Sequence, residues 1–294
     1  RYRKEVTGAL KDEVLREFFD RLTYLRNLEA KKEEITRLID EQGNLTDEIS
    51  ASITNSKTMT ELEDIYRPFR PKRRTRASVA KEKGLEPLAE ILLLQENLKK
   101  SPEDIAQRFV DEEKEVATAE EALCGAMDIL AERFSDNPEF RKTIRELTFH
   151  NAMIVSKAST EDDSVYSMYY DFSEPVSKIA HHRLLALNRG EKENFLSVKL
   201  ELETELITNY LERNIITNPS SPCAEYLKLT IADSYSRLIA PSVETEIRNL
   251  LTDNAQEASI KIFSKNLSGL LLQPPIKGHT VLGVDPGYRT GCKL

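Results

Sequence analysis

Apolar residues at Leu10, Val14, Phe18, Leu22, Leu25, Leu28, Ile35 and Leu38 recur at intervals of three, four and seven, the spacing of one helical face. They predict one long helix over Lys11 to Gln42, stopped by Gly43 and Asn44. Short helices follow. Thr46 before Asp47 and Glu48 reads as a cap, and Thr60 with Glu63 as a capping box for a helix that Pro68 must end. A helix around Ser78 to Lys83 is closed by Gly84, and Pro87 sits in the first turn of the run to Leu94. Ser101 with Pro102, Thr118 with Glu121, and Asn137 with Pro138 mark three further starts, the last two opening helices over Ala119 to Phe134 and on through Phe149.

The helical period is lost between Thr148 and Asp171, which predicts a loop or short strands. Ser173 and Pro175 are expected to restart a helix reaching about Arg189, with Gly190 as its stop. Phe195 to Leu202 alternates Val198, Leu200 and Leu202 with Ser197, Lys199 and Glu201, a half-buried strand. Helix resumes after Cys223 through Ile239. Pro241 with Ser242 then introduces an amphipathic stretch to Leu272, long enough to be a spine for other helices. His279 to Val284 is β-branched and apolar, a buried strand entering a turn at Asp285, Pro286 and Gly287. Such a strand has no evident partner, so a truncated following domain is expected. The fold class read from this pattern is mainly α with a minor β component. Its divisions are a helical region over 1–150, a second helical region with short strands and the spine over 151–278, and the start of another domain over 279–294.

Composition narrows the class. In 294 residues, 39% hydrophobic and 31% charged, with 10 Gly and 12 Pro, there is no collagen-like or low-complexity character. No uncharged run exceeds eleven residues, against the roughly 20 apolar residues of a membrane span, so a soluble chain without membrane contact is expected. Cys124, Cys223 and Cys292 lie too far apart for a disulfide framework, which fits a reducing cytoplasm. The chain opens at Arg1 and is expected to be a piece of something longer.

Charge changes the picture more. Arg67, Arg70, Lys72, Arg73, Arg74, Arg76, Lys81 and Lys83 stand against one acid, Glu82, so this segment carries +7 while the rest of the chain carries −15. A polyanion would be drawn to that segment alone. Arginine offers a planar fork of donors matched to phosphate oxygens, and Pro68 and Pro71 limit the conformations surrendered on binding. Tyr66 and Phe69 are candidates to stack on bases or to anchor the loop. The alternative is internal pairing with acidic helices, such as those containing Glu112, Glu113 and Glu115. The adjacent His181 and His182 point about 100° apart on a helix and make a poor metal pair; Glu161, Asp162 and Asp163 read as a solvated loop. Gly287, Gly291 and Lys293 fall short of a phosphate-binding loop.

Two segments are specific when taken together: ELEDIYRPFRPKRRTRASVAKEKGLEPLAE at Glu61 to Glu90 and VLGVDPGYRTGCK at Val281 to Lys293. With RYRKEVTG at Arg1, YYDFSEP at Tyr169, HHRLLALNRGE at His181 and RLIAPSVETEIR at Arg237, they resemble the Tex family of bacterial transcription accessory proteins over essentially the whole chain. The resemblance implies a helix-turn-helix in the N-terminal helical region, for which helices such as Asp47 to Ile53 and Glu61 to Tyr66 are candidates. It further implies a long central helix, a YqgF domain of RNase H-like fold beginning near residue 279, helix-hairpin-helix elements and an OB-type RNA-binding barrel, the last parts lying past Lys293. It also makes Asp285 a candidate Mg2+-binding carboxylate, as RNase H-like nucleases place one at the end of a first strand. One carboxylate is an incomplete site, so this chain is expected to be non-enzymatic and to need no cofactor. The expected role is a monomeric scaffold that binds RNA or DNA without sequence preference and meets the transcription machinery. The alternatives are a protein-interaction scaffold whose basic loop is internally paired, or part of a metal-dependent nuclease.

Overall fold

Helix α1 (Asp12–Glu41) follows the predicted stripe, yet only its second half is covered. Leu28, Ile35 and Ile39 are buried, whereas Val14, Phe18 and Leu25 face solvent. Onto the buried half pack α2 (Asp47–Asn55) and α3 (Met59–Tyr66), whose Ile53, Leu62 and Tyr66 complete a small core. The structure is a computed structural model, and it describes residues 5, 8, 10–96, 101–160, 164–274, 277–287 and 291–293.

Thr46 caps α2 as expected, accepting the amide of Ile49. The start of α3 differs from the reading. Thr58, not Thr60, accepts the amide of Glu61, and the Glu61 carboxylate takes the amide of Lys57. The earlier frame wins because it lays Met59 on the core and brings its amide to the Tyr24 hydroxyl at 3.2 Å.

A larger core begins at α4 (Arg76–Glu82) and continues through α5 (Glu86–Leu94), α6 (Pro102–Ala106), α7 (Ala119–Asp136) and α8 (Pro138–Asn151). Ser101, Thr118 and Asn137 each cap the helix they were predicted to open. In α7, Gly125 lets the facing chain come close: a Cβ there would lie 2.4 Å from Leu85 Cδ1. After α8 the chain forms β1 (Met153–Ala158) and β2 (Asp171–Pro175), then α9 (His181–Lys192) and β3 (Leu196–Glu201). The three strands make an antiparallel sheet in the order β2-β1-β3, with Met153 opposite both Pro175 and Glu201.

Two expectations fail here. Ser173 and Pro175 lie in β2 and restart no helix, because β1 offers that segment a ladder of backbone partners; the helix waits until His181. Gly190 is inside α9 and stops nothing. A Cβ at Gly190 would sit 2.6 Å from Leu196 Cδ1, so the glycine serves the approach of β3, while Asn194, at φ +64°, turns the chain. The acidic run Glu161 to Asp163 lies outside the described residues.

Helices α10 (Thr204–Ile215) and α11 (Ala224–Asp233) complete the larger core. α11 does not end before Pro241. It passes through a π turn, Ser234–Ile239, directly into α12 (Ala240–Leu271). Proline lacks an N–H and its ring crowds the carbonyl four residues back, and the wider turn accommodates both. The predicted spine is therefore real but half used: Val243, Ile247 and Ala255 are buried, and no described residue of α12 past Ala255 is.

The apolar run at 279–284 is not a buried strand. Val281, Leu282 and Val284 are exposed, since among the described residues no sheet edge reaches them. Pairing starts one step later, where β4 (Asp285–Gly287) and β5 (Gly291–Lys293) form a small antiparallel hairpin, so this strand does have a partner within the chain. No helix among the described residues is long and apolar enough to cross a membrane.

Candidate nucleic-acid interface

The basic segment bridges the two cores. At its start, Tyr66 is only 7% exposed and Phe69, half-buried, packs on the same small core, so both rings anchor the chain. A 3-10 turn, Arg67–Phe69, carries Pro68, and Gln42 Nε2 donates to the Phe69 carbonyl at 3.0 Å. At its end, Thr75 and Ser78 exchange side-chain and backbone hydrogen bonds of 2.9–3.0 Å, a reciprocal cap that fixes the first turn of α4. Residues 70–74 are thus a short span held at both ends.

The eight cations divide into three groups. Arg67, Lys72 and Lys83 turn inward. Arg67 Nε is 3.2 Å from Asp136, Lys72 Nζ holds both Asp136 and Glu132 (3.3 Å to the latter), and Lys83 Nζ reaches the Glu115 carbonyl at 2.8 Å and its carboxylate at 3.7 Å. Arg70 with Glu63 and Lys81 with Glu86 make loose, exposed pairs of 3.8 and 3.5 Å, worth about 0–1 kcal/mol each. Arg73, Arg74 and Arg76 are exposed and have no ion pair within 4.0 Å among the described residues. The two readings of the segment therefore sort by residue. Of the acids proposed as internal partners, Glu115 serves and Glu112 and Glu113 do not.

Arg74, Arg76 and Lys83 also rim a groove of about 590 Å³ between α4 and α7. Its other wall carries Glu115, Glu121 and Asp128, so the groove is of mixed sign, and of the three unpaired arginines Arg73 stands clear of it. Burial pushes the Asp128 carboxyl above its ordinary range, and the charges of Arg237 and Arg76 oppose that only in part.

One cluster had no forecast in the sequence. Arg141 on α8 is fully buried; its Nε donates to Asp64 of α3 at 3.1 Å, and its Nη2 to Ser242 at 2.9 Å and to Glu246, both on α12. Arg145, one turn on, joins the same two carboxylates at 2.8 and 2.9 Å. Burial would raise the Glu246 carboxyl, but Arg141 and Arg145 together hold it below its ordinary range. The available signal was the spacing: Arg141 and Arg145 on one helix and Ser242 and Glu246 on another are each four apart, hence on one face. Which helices meet was not encoded there.

Comparison with known proteins fixes the lineage. Residues 1–40 match the Tex-like protein N-terminal domain, and residues 97–263, more than half of the chain, match the Tex central region-like domain. The chain belongs to the Tex family. Over its whole length it is 50% identical to uncharacterized protein YdcI of Bacillus subtilis and 38% identical to the transcriptional accessory protein Tex of Neisseria gonorrhoeae. It is 30% identical to the human S1 RNA-binding domain-containing protein 1. It spans 41%, 39% and 31% of those relatives' lengths.

Within this Tex chain two of the segments that carried the resemblance act as structural clamps. RLIAPSVETEIR supplies Arg237, which pairs with Asp128 and Asp233, the π turn before Pro241, and Glu246. Its Arg248 bonds Glu191 of HHRLLALNRGE and the Val198 carbonyl, tying α12 to α9 and β3. His181 and His182 are both exposed at the start of α9. Asp285 falls in β4, and its side chain lies outside the described residues, as do the residues that follow it at 288–290.

Proposed function

We propose that this chain acts without catalysis, as a helical scaffold of a Tex-type transcription accessory protein that holds a nucleic-acid backbone through Arg73, Arg74 and Arg76. The observation that carries the reading is the exposure of these three arginines, without an ion pair among the described residues, two on a span pinned at both ends and Arg76 at the start of the helix that pins it. Arg70 and Lys81 flank them in pairs weak enough to exchange for phosphate. The names borne by relatives, one a transcriptional accessory protein and one an S1 RNA-binding domain-containing protein, support a nucleic-acid-related role. Phosphate contacts position without reading sequence, so RNA and DNA of any sequence are expected ligands.

The test is fluorescence anisotropy with a 20-nucleotide single-stranded RNA and a 20-base-pair duplex DNA at 50 and 200 mM salt. Replacing all three arginines by Ala should weaken binding and flatten the log-log salt slope by about 2 on the single strand and about 3 on the duplex. Unchanged affinity and slope would remove the assignment. A second reading, a docking scaffold for protein, is favoured by Ile262, Phe263, Leu270 and Leu271 standing exposed on α12. It expects the triple variant to behave as the parent chain, and Arg67→Ala with Lys72→Ala to cost stability alone.

A further inference from the structure

Glu132 and Asp136 lie one turn apart at the end of α7, facing the start of the basic segment. The Asp136 side chain is 11% exposed and takes Arg67 and Lys72 together, and Glu132 takes Lys72 again. Both cations are themselves partly open to solvent, at 36% and 28%. Lys72 sits in the same short span as Arg73 and Arg74, and Arg67 in the turn that leads into it, so a phosphate chain laid along the free arginines passes within reach of both. The end of a helix also carries partial negative charge, which reinforces the carboxylates as a resting place for cations.

We propose that Glu132 and Asp136 are an intramolecular stand-in for phosphate, an autoinhibitory contact that withholds Arg67 and Lys72 until a polyanion displaces it. The paired cations belong to the link between the small core and the large one, so engagement of the full basic segment loosens that link as it tightens the complex. The inference rests on the assignment of Arg73, Arg74 and Arg76 as phosphate contacts. It goes beyond it by making α7 the element that sets how many cations are free.

The experiment uses the whole chain and the same RNA and DNA probes. Glu132→Gln with Asp136→Asn frees two cations, and should lower Kd several-fold and steepen the salt slope by about 1.4 on single-stranded RNA and about 1.8 on duplex. Glu112→Gln with Glu113→Gln changes net charge equally at exposed positions that hold none of the basic side chains among the described residues, and should leave the slope where it was. Equal effects from the two pairs of substitutions, or none from Glu132 and Asp136, overturn the autoinhibitory contact. That failure is distinct from failure of the binding site itself, which shows as an unchanged Arg73/Arg74/Arg76 triple variant. Should the double variant unfold, Asp136→Asn alone is read instead: it releases Arg67 while Glu132 still holds Lys72, so it should steepen the slope by about 0.7 on RNA, and a slope equal to that of the parent overturns the proposal.

Discussion

Arg141 is a cation with no exposed surface, and its partners come from helices otherwise assigned to different cores. Such a group is tolerated only when its charge is matched, and truncating one side of a buried pair leaves the other side uncompensated. Arg141→Ala should therefore destabilise the fold by about 3–5 kcal/mol in chemical denaturation. The Glu246 carboxyl gives a second readout. Its folded pKa is depressed, so its contribution is present above the ordinary value of 4.5 and fades as pH falls through the lowered one. In Arg141→Ala that acid-side loss should shrink when unfolding is followed from pH 6 to pH 3. Tyr226 shows the opposite direction: burial, then its bond to Glu103, pushes the phenol up to about 12, so it stays a donor throughout that range.

At the scale of elements, capping chemistry decides where helices begin, and α3 is the sharpest case. Thr58→Ala should cost about 1 kcal/mol in thermal or denaturant unfolding, whereas Thr60→Ala should stay within about 0.5. The reverse order would restore the frame read from the sequence. Most helices were legible because Thr46, Ser101, Thr118 and Asn137 announce themselves by type and spacing. Thr58 was missed since Thr60 and Glu63 imitate the same pattern two residues later. β2 was missed because Ser173 and Pro175 read as a helix start, and its state is fixed by an edge on β1 that is distant in the chain. The candidate site divided similarly. Charge density located the segment, but which cations are spoken for depends on Asp136, Glu132 and Glu115, and that is a matter of packing.

In the whole molecule, two long helices carry bare ends. The first buried residue of α1 is Leu28 and the last of α12 is Ala255, and Glu17 near the start of one acts electrostatically on Lys261 near the end of the other. Few buried contacts mean low local stability. Hydrogen exchange should be fast over 12–27 and 256–271 and slow in α7; uniform protection along α12 would contradict this. The π turn before Pro241 has a longer reach than its six residues. An i to i+5 turn takes up one more residue than an α turn, and each residue rotates a helix by about 100°. Everything downstream is indexed by that insertion, including Ser242 and Glu246, which it aims at Arg141 and Arg145. Winding all six residues from Ser234 to Ile239 as a regular α-helix would swing the whole rod by roughly a quarter-turn, whereas removing one of them would let the turn close with the rod still in phase, so arithmetic in the backbone, more than the chemistry of any one side chain, keeps this lock in register.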